Sequence, residues 1–237
     1  PVDDTTALNK LIVYGGTGKF SSAGGQGGFN VGLYKSTNGG DTWGLLGSDS
    51  LAGLNITSIV PTTTADTVLV AAVEANGTSG QGGIFRTTDG GESFVRVSSS
   101  SVNAATDLVA DPGDPTRFYA GVLGVGVMVS TDTGETWNSP AVQPGFLGDS
   151  IDDNNDGVSD DDGEAATGAN RIMLAVEQDT SNPSNVVFAA VIDSDSANDD
   201  FPIGVFRSPD AGASWTPIRK VISGTPSISF QDNGGSP

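Results

Sequence analysis

The 237-residue chain contains neither cysteine nor histidine. Without cysteine it can form no disulfide framework and no thiolate metal site. Without histidine it has no imidazole ligand and no catalytic triad built on one. Basic residues are scarce as well, ten Lys and Arg against 29 Asp and Glu, for a net charge of −19. Such a surface repels phosphate backbones and anionic headgroups, which argues against nucleic acid as a partner and against direct membrane insertion. Divalent cations are its natural counter-charge. No apolar run reaches the about 18 residues that a membrane-crossing helix needs. The opening Pro1-Val2-Asp3-Asp4 has neither the basic region nor the apolar core of a signal peptide.

What the chain has in quantity is turn chemistry. Thirty-four Gly and 12 Pro accompany 36% apolar residues, which fits many short strands and fits long buried helices poorly. Being rich in Asp, Gly, Ser and Thr and poor in Lys, the composition resembles that of exported bacterial proteins. An extracellular or cell-surface location is expected. The length suffices for one substantial all-β domain.

Internal repetition organises the sequence. Four octets align: Ser36-Thr-Asn-Gly-Gly-Asp-Thr-Trp43, Thr87-Thr-Asp-Gly-Gly-Glu-Ser-Phe94, Ser130-Thr-Asp-Thr-Gly-Glu-Thr-Trp137 and Ser208-Pro-Asp-Ala-Gly-Ala-Ser-Trp215. Each reads Ser/Thr-x-Asp/Asn-x-Gly-x-Ser/Thr-aromatic. The third-position oxygen (Asn38, Asp89, Asp132, Asp210) can accept backbone N–H groups of its own turn. The fifth-position Gly supplies a positive φ, and the aromatic (Trp43, Phe94, Trp137, Trp215) returns the chain to a buried layer. A short strand precedes each octet and another follows, and two further strands lie upstream. Each unit is therefore expected to hold four antiparallel strands, with the octet between the third and fourth.

The octets resemble the Asp boxes (BNR repeats) of sialidase-like, xyloglucanase-like and sortilin-like β-propellers and of photosystem assembly propellers. The resemblance implies an all-β propeller segment of about four blades. Their expected spans are about 1–50, 51–100, 101–144 and 171–222, with an acidic insertion at 145–170 and the start of a fifth blade at 223–237. Third-position residues fall at 38, 89, 132 and 210, and removing the 26-residue insertion shortens the last gap from 78 to 52 residues. Blade one is expected to begin at its second strand, and Pro226-Ser-Ile-Ser-Phe230 reads as a first strand of blade five, so the chain is expected to be part of a larger propeller. In those families the boxes are structural turns remote from the active site, so the resemblance speaks for fold more than for function.

Strand alternation places the loops between second and third strands, and the links between blades, on one face of the disc. The sharpest signal there is Asp152-Asp-Asn154-Asn-Asp156-Gly157-Val158-Ser-Asp160, which resembles the calcium loops of EF-hands, dockerins and thrombospondin type-3 repeats. Asp152, Asn154, Asp156, the Val158 carbonyl and Asp160 are the expected Ca²⁺ ligands. Asp162 or Glu164 would complete the shell, because Gly163 stands where a bidentate Glu would be. The alternative is a solvated acidic linker. Asp193, Asp195, Asp199 and Asp200 form a second acidic cluster without a recognised pattern.

No catalytic set emerges. A sialidase needs converging arginines, and only Arg96, Arg171 and Arg219 stand away from the octets and the opposite face, with no suitable Tyr nearby. A xyloglucanase-type cleft needs aromatic platforms, yet all three Trp belong to the octets. The expected function is a non-catalytic structural or recognition module, stabilised by calcium, whose partner is a protein or glycan at the cell surface. The alternative is part of a secreted glycoside hydrolase whose catalytic residues lie outside this segment.

Overall fold

The computed structural model describes residues 10–18, 29–75, 81–99, 104–140, 169–178, 185–193, 202–218, 221–222 and 225–226. Every element among them is a strand, and all pairing is antiparallel between strands adjacent in sequence. The first sheet is β1 (Val13–Gly16), β2 (Leu33–Ser36) and β3 (Gly44–Leu46). The second is β4 (Leu54–Pro61), β5 (Val68–Glu74), β6 (Gly83–Thr87) and β7 (Val95–Arg96). The third is β8 (Ala105–Ala110), β9 (Phe118–Val122) and β10 (Gly126–Ser130). The fourth is β11 (Ala169–Glu177), β12 (Val186–Asp193), β13 (Pro202–Ser208) and β14 (Thr216–Pro217). A two-residue ribbon follows, β15 (Val221–Ile222) with β16 (Thr225–Pro226).

The second and fourth sheets carry four strands; the first and third carry three among the described residues. In the third sheet an isolated bridge, Val129 to Asn138, stands where a fourth strand would run. Pro140, two residues on, has no N–H with which to extend it. Pro226 also differs from expectation, since it closes a short hairpin with Val221; Ser227–Phe230 lie outside the described residues.

The sheets stack in sequence order with one apolar layer between each pair. Strand alternation builds these layers. Along β5, Val68, Val70 and Ala72 meet Leu33 of the first sheet, while Leu69 and Ala71 meet Phe118 and Ala120 of the third. Tyr119 and Val127 then meet Val187, Ala189 and Phe206 of the fourth. A central sheet buried on both faces explains why β5 reads as the unbroken apolar run Val-Leu-Val-Ala-Ala.

The first strands of successive sheets run side by side. β4 and β8 each carry an irregularity at one residue, Thr57 and Thr106, and β11 carries one at Asn170. A bulge bends its strand and re-aims the side chain. The Thr57 hydroxyl donates to the Ala105 carbonyl at 2.7 Å, and that of Thr106 donates to the Ile172 carbonyl at 3.0 Å.

Candidate functional site

The four octets build one hydrogen-bond pattern. The first-position hydroxyl (Ser36, Thr87, Ser130, Ser208) is buried; it donates to the third-position oxygen and accepts the N–H of the fifth-position glycine at 2.8–3.0 Å. The third-position oxygen also accepts the seventh residue's N–H, from Thr42, Ser93, Thr136 and Ser214, at 2.8–3.0 Å. In the last three turns the seventh hydroxyl donates to the second carboxylate oxygen as well. Asn38 reverses that bond, donating its amide to the Thr42 hydroxyl at 2.9 Å.

These bonds set the carboxyl chemistry. Hydrogen bonds from the Ser93 side chain and backbone, and from Thr87, hold Asp89 well below the usual carboxylate range. Burial pushes Asp132 and Asp210 up, but the bonds from Thr136 and Ser130, and from Ser214 and Ser208, outweigh it and leave both lowered. All three are anions near neutral pH, with their lone pairs directed at their own turns.

Two consecutive left-handed residues close each turn. The fifth-position glycines have φ of 77° to 103°, and the fourth position is left-handed too: Gly39 at 74°, Gly90 at 76°, Thr133 at 59° and Ala211 at 56°. That fourth residue ties the turn to the rest of its sheet, since its N–H donates to Leu11, Asp66, Thr116 and Asn185 carbonyls respectively. Its carbonyl ties the turn to the preceding sheet. Lys35 donates to the Gly90 carbonyl at 2.9 Å, and Arg86 donates to that of Thr133 at 3.0 Å.

Between the third and fourth sheets the corresponding donor position is Val129, and a buried polar node lies nearby. Asp111, nearly inaccessible, accepts from the Asn185 amide, from the Tyr119 hydroxyl at 3.1 Å and from the Gly113 and Asp114 N–H groups at 2.9 and 3.2 Å. Burial, and next the Asp111 charge, push the Tyr119 hydroxyl well above the ordinary phenol value. Nearer the first strands, Asp107 accepts the Leu174 N–H at 2.7 Å.

The aromatic residues do not share one fate. Phe94 and Trp215 are buried against the preceding sheet, and Trp137 is half-buried. Trp43, expected to be buried, is 46% exposed. Each octet aromatic packs on the sheet before its own, and the first sheet has none before it among the described residues. The indoles of Trp43 and Trp137 donate to their own Gly40 and Gly134 carbonyls. That of Trp215 finds no acceptor among the described residues.

On the opposite face the described loop stems form a polar network between the first two sheets. Asn30 donates to Asn55 at 3.1 Å, Asn55 donates to the Glu74 carbonyl, and the Thr17 hydroxyl donates to the Gly32 carbonyl. Asn55 belongs to a glycosylation sequon, yet its side chain is engaged within the fold. Arg96 lies on the last strand of the second sheet and Arg171 on the first strand of the fourth, so the two are not brought together; Arg219 is outside the described residues. The expected calcium ligands Asp152, Asn154, Asp156, Val158, Asp160, Asp162 and Glu164 also lie outside them, as do Asp195, Asp199 and Asp200. Among the described residues no group of three or more acidic side chains is placed to hold a metal ion.

The node and the cationic latches are what the sequence reading missed. A signal for the latches existed: Lys35, Arg86 and Arg207 each stand immediately before an octet.

No protein-family model matches the sequence, and no curated protein sequence is detectably similar to it. Solved structures are similar in fold. An ancestral GH74 enzyme matches with a TM-score of 0.55 at 20% identity, over 89% of this chain and 26% of that one. The GH74 xyloglucanase from Xanthomonas campestris matches with a TM-score of 0.50 at 21% identity, over 84% of this chain and 28% of that one. The chain thus spans about a quarter of the length of these β-propeller enzymes, and the likeness puts its fold among the propellers.

Proposed function

We propose that this chain is a run of Asp-box propeller blades, bounded as its repeats are, that serves as a non-catalytic structural or recognition module outside the cell or on its surface. The observation that carries this reading is where the charged groups go. Asp89, Asp132 and Asp210 are committed to turns, Asp107 and Asp111 to contacts between sheets, and Lys35 and Arg86 to backbone carbonyls. A catalytic acid or base must keep its proton or lone pair for a substrate. The partner is a protein or a glycan displayed at a cell surface, and phosphate backbones are disfavoured by the charge of −19.

The likeness to GH74 enzymes favours a second reading, in which this is part of a secreted glycoside hydrolase whose catalytic residues lie elsewhere. Incubating the chain with xyloglucan oligosaccharides and with a sialoside distinguishes an active segment from an inert one. No new reducing ends and no free sialic acid are expected. Turnover that disappears on replacing a single carboxylate would overturn the non-catalytic reading.

We also propose that the acidic insertion holds one Ca²⁺ through Asp152, Asn154, Asp156, the Val158 carbonyl and Asp160, with Asp162 or Glu164. The support is the sequence pattern and the local excess of negative charge, which a divalent cation relieves. Saturation at about 100 times Kd would stabilise the fold by ~2.7 kcal/mol. Thermal melting is expected to shift upward between chelator and millimolar Ca²⁺, and Asp156→Ala is expected to abolish the shift. Equal melting temperatures would refute the site.

A further inference from the structure

Each contact between consecutive sheets has the same two halves. The half turned toward the next sheet presents an apolar residue, Leu33, Ile84 or Val127, all fully buried, and then the residue just before the octet, Lys35, Arg86 or Val129. The half turned toward the preceding sheet presents Phe85, Met128 or Phe206, followed by the octet aromatic. The fifth-position glycine is pressed against the same neighbour: a Cβ on Gly91 would meet Leu46 at 2.5 Å, and one on Gly134 would meet Leu69 at 2.3 Å. A side chain on either glycine would force the two sheets apart.

Both halves recur without a partner at the two ends of the stack. On the first sheet Tyr34, Trp43 and Leu45 are 38%, 46% and 45% exposed, where their counterparts Phe85 and Phe94 in the second sheet are 5% and 6%. A Cβ on Gly40 would meet only its own Trp43. On the fourth sheet Val205, the counterpart of Leu33 and Ile84, is only half-buried, and Met173, two strands away in the same cross-strand row, is 44% exposed. Arg207 precedes its octet as Lys35 and Arg86 do, yet it donates to no carbonyl among the described residues. The Gly39 carbonyl, counterpart of those of Gly90 and Thr133, receives no donor among them.

We propose that the first sheet of one copy of this chain docks on the fourth sheet of a second copy, repeating the contact already made inside the chain. The Arg207 guanidinium of one copy then donates to the Gly39 carbonyl of the other. Tyr34 and Trp43 cover Val205 and Met173. A second copy is the fitting occupant because this one chain supplies both the idle donor and the idle acceptor, at the positions where Lys35 meets Gly90 and Arg86 meets Thr133. The contact is heterologous, so copies add head to tail and end in a closed ring or an open row. This inference does not depend on the functional reading above.

Sedimentation velocity across a concentration series tests it. The expected result is a concentration-dependent mass of at least twice the 23.9 kDa of the chain. Tyr34→Asp and Val205→Asp, each spoiling one end, should be monomeric alone and form a dimer, but nothing larger, when mixed. Arg207→Ala, a change at a side chain without hydrogen bonds inside the chain, should weaken association by about tenfold, the equivalent of ~1.4 kcal/mol. Circular dichroism establishes that each variant is folded. A chain that remains at 23.9 kDa throughout, or a folded Tyr34→Asp variant that associates as before, overturns the proposal.

Discussion

The junction between the second and third sheets and the junction between the third and fourth join similar surfaces by different polar means. In the former, Arg86 lays a flexible cation over the apolar layer and ends on the Thr133 carbonyl. In the latter, Val129 has no donor to offer, and Asp111, buried, gathers Asn185 and Tyr119 from across the contact. The two differ in what their removal leaves behind. Removing Arg86 frees a carbonyl near the rim that water can reach. Removing Asp111 strands two side-chain donors and two backbone N–H groups in a place water does not reach, and unmet buried groups cost more than the net gain of a bond.

The sharpest way to break the comparison is to remove the aromatic at each kind of location. Trp215→Ala is expected to cost ~3–5 kcal/mol in urea unfolding, the range for a buried aromatic. Trp43→Ala, measured in dilute solution, is expected to cost less than ~1 kcal/mol because the ring is half-exposed. Comparable losses would mean that the first sheet is covered after all.

The junctions themselves come next. Asp111→Ala is expected to destabilise by ~3 kcal/mol and Arg86→Met by ~1 kcal/mol, following the costs of stranded and of simply lost charged hydrogen bonds. If the two urea midpoints fell equally, the distinction between the junctions would be void.

A smaller effect of opposite sign should follow from the turns. Thr133 and Ala211 occupy left-handed positions where the first two octets carry glycine. Thr133→Gly is expected to stabilise by ~0.5–1 kcal/mol by relieving that strain, read as a rise in the urea midpoint. A loss of stability would show that the Thr133 side chain contributes more than its backbone costs.

The smallest effect expected is local and acid-dependent. Asp89, Asp132 and Asp210 are lowered in the native state. Their contribution is fully present above the ordinary aspartate value of about 3.9 and is lost as the pH falls through the lower native values. Amide exchange at Gly91, Gly134 and Gly212 should quicken in that acid range, while Gly40, whose turn is held by the uncharged Asn38, should not respond. A uniform response would show that the turns do not titrate independently.

Much of the fold was legible because it is local. The octet puts its third-position acceptor four residues from its last donor, well within one turn, and β5 announces its double burial by lacking polar alternation. What escaped the sequence acts across distance. Asp111 read as a turn residue of Asp-Pro-Gly-Asp, but its partner Asn185 is 74 positions away, and no periodicity links the two. Trp43 and Trp215 occupy the same place in their octets; only the presence of a preceding sheet separates an exposed ring from a buried one. The second left-handed residue was also hidden, because Thr and Ala at that position do not advertise a positive φ as Gly does. The calcium pattern remains a property of the sequence, since its residues lie outside those described.

The first strand of each sheet is an edge, and an edge presents a row of idle donors and acceptors to any passing strand, the usual opening for fibril growth. Here that row is partly occupied. The Ile56 N–H is taken by the Thr17 carbonyl. The carbonyls of Ala105 and Leu108 are taken by Thr57 and Ser58, both backbone groups of Ile172 by Thr106, and the Leu174 N–H by Asp107. Three short polar side chains on each side of the axis do what Lys or Pro does on an exposed edge. A protein this rich in β-structure and this poor in lysine thereby keeps its inner edges closed to templating, and it does so with hydroxyls that are indistinguishable, in the sequence, from ordinary strand threonines.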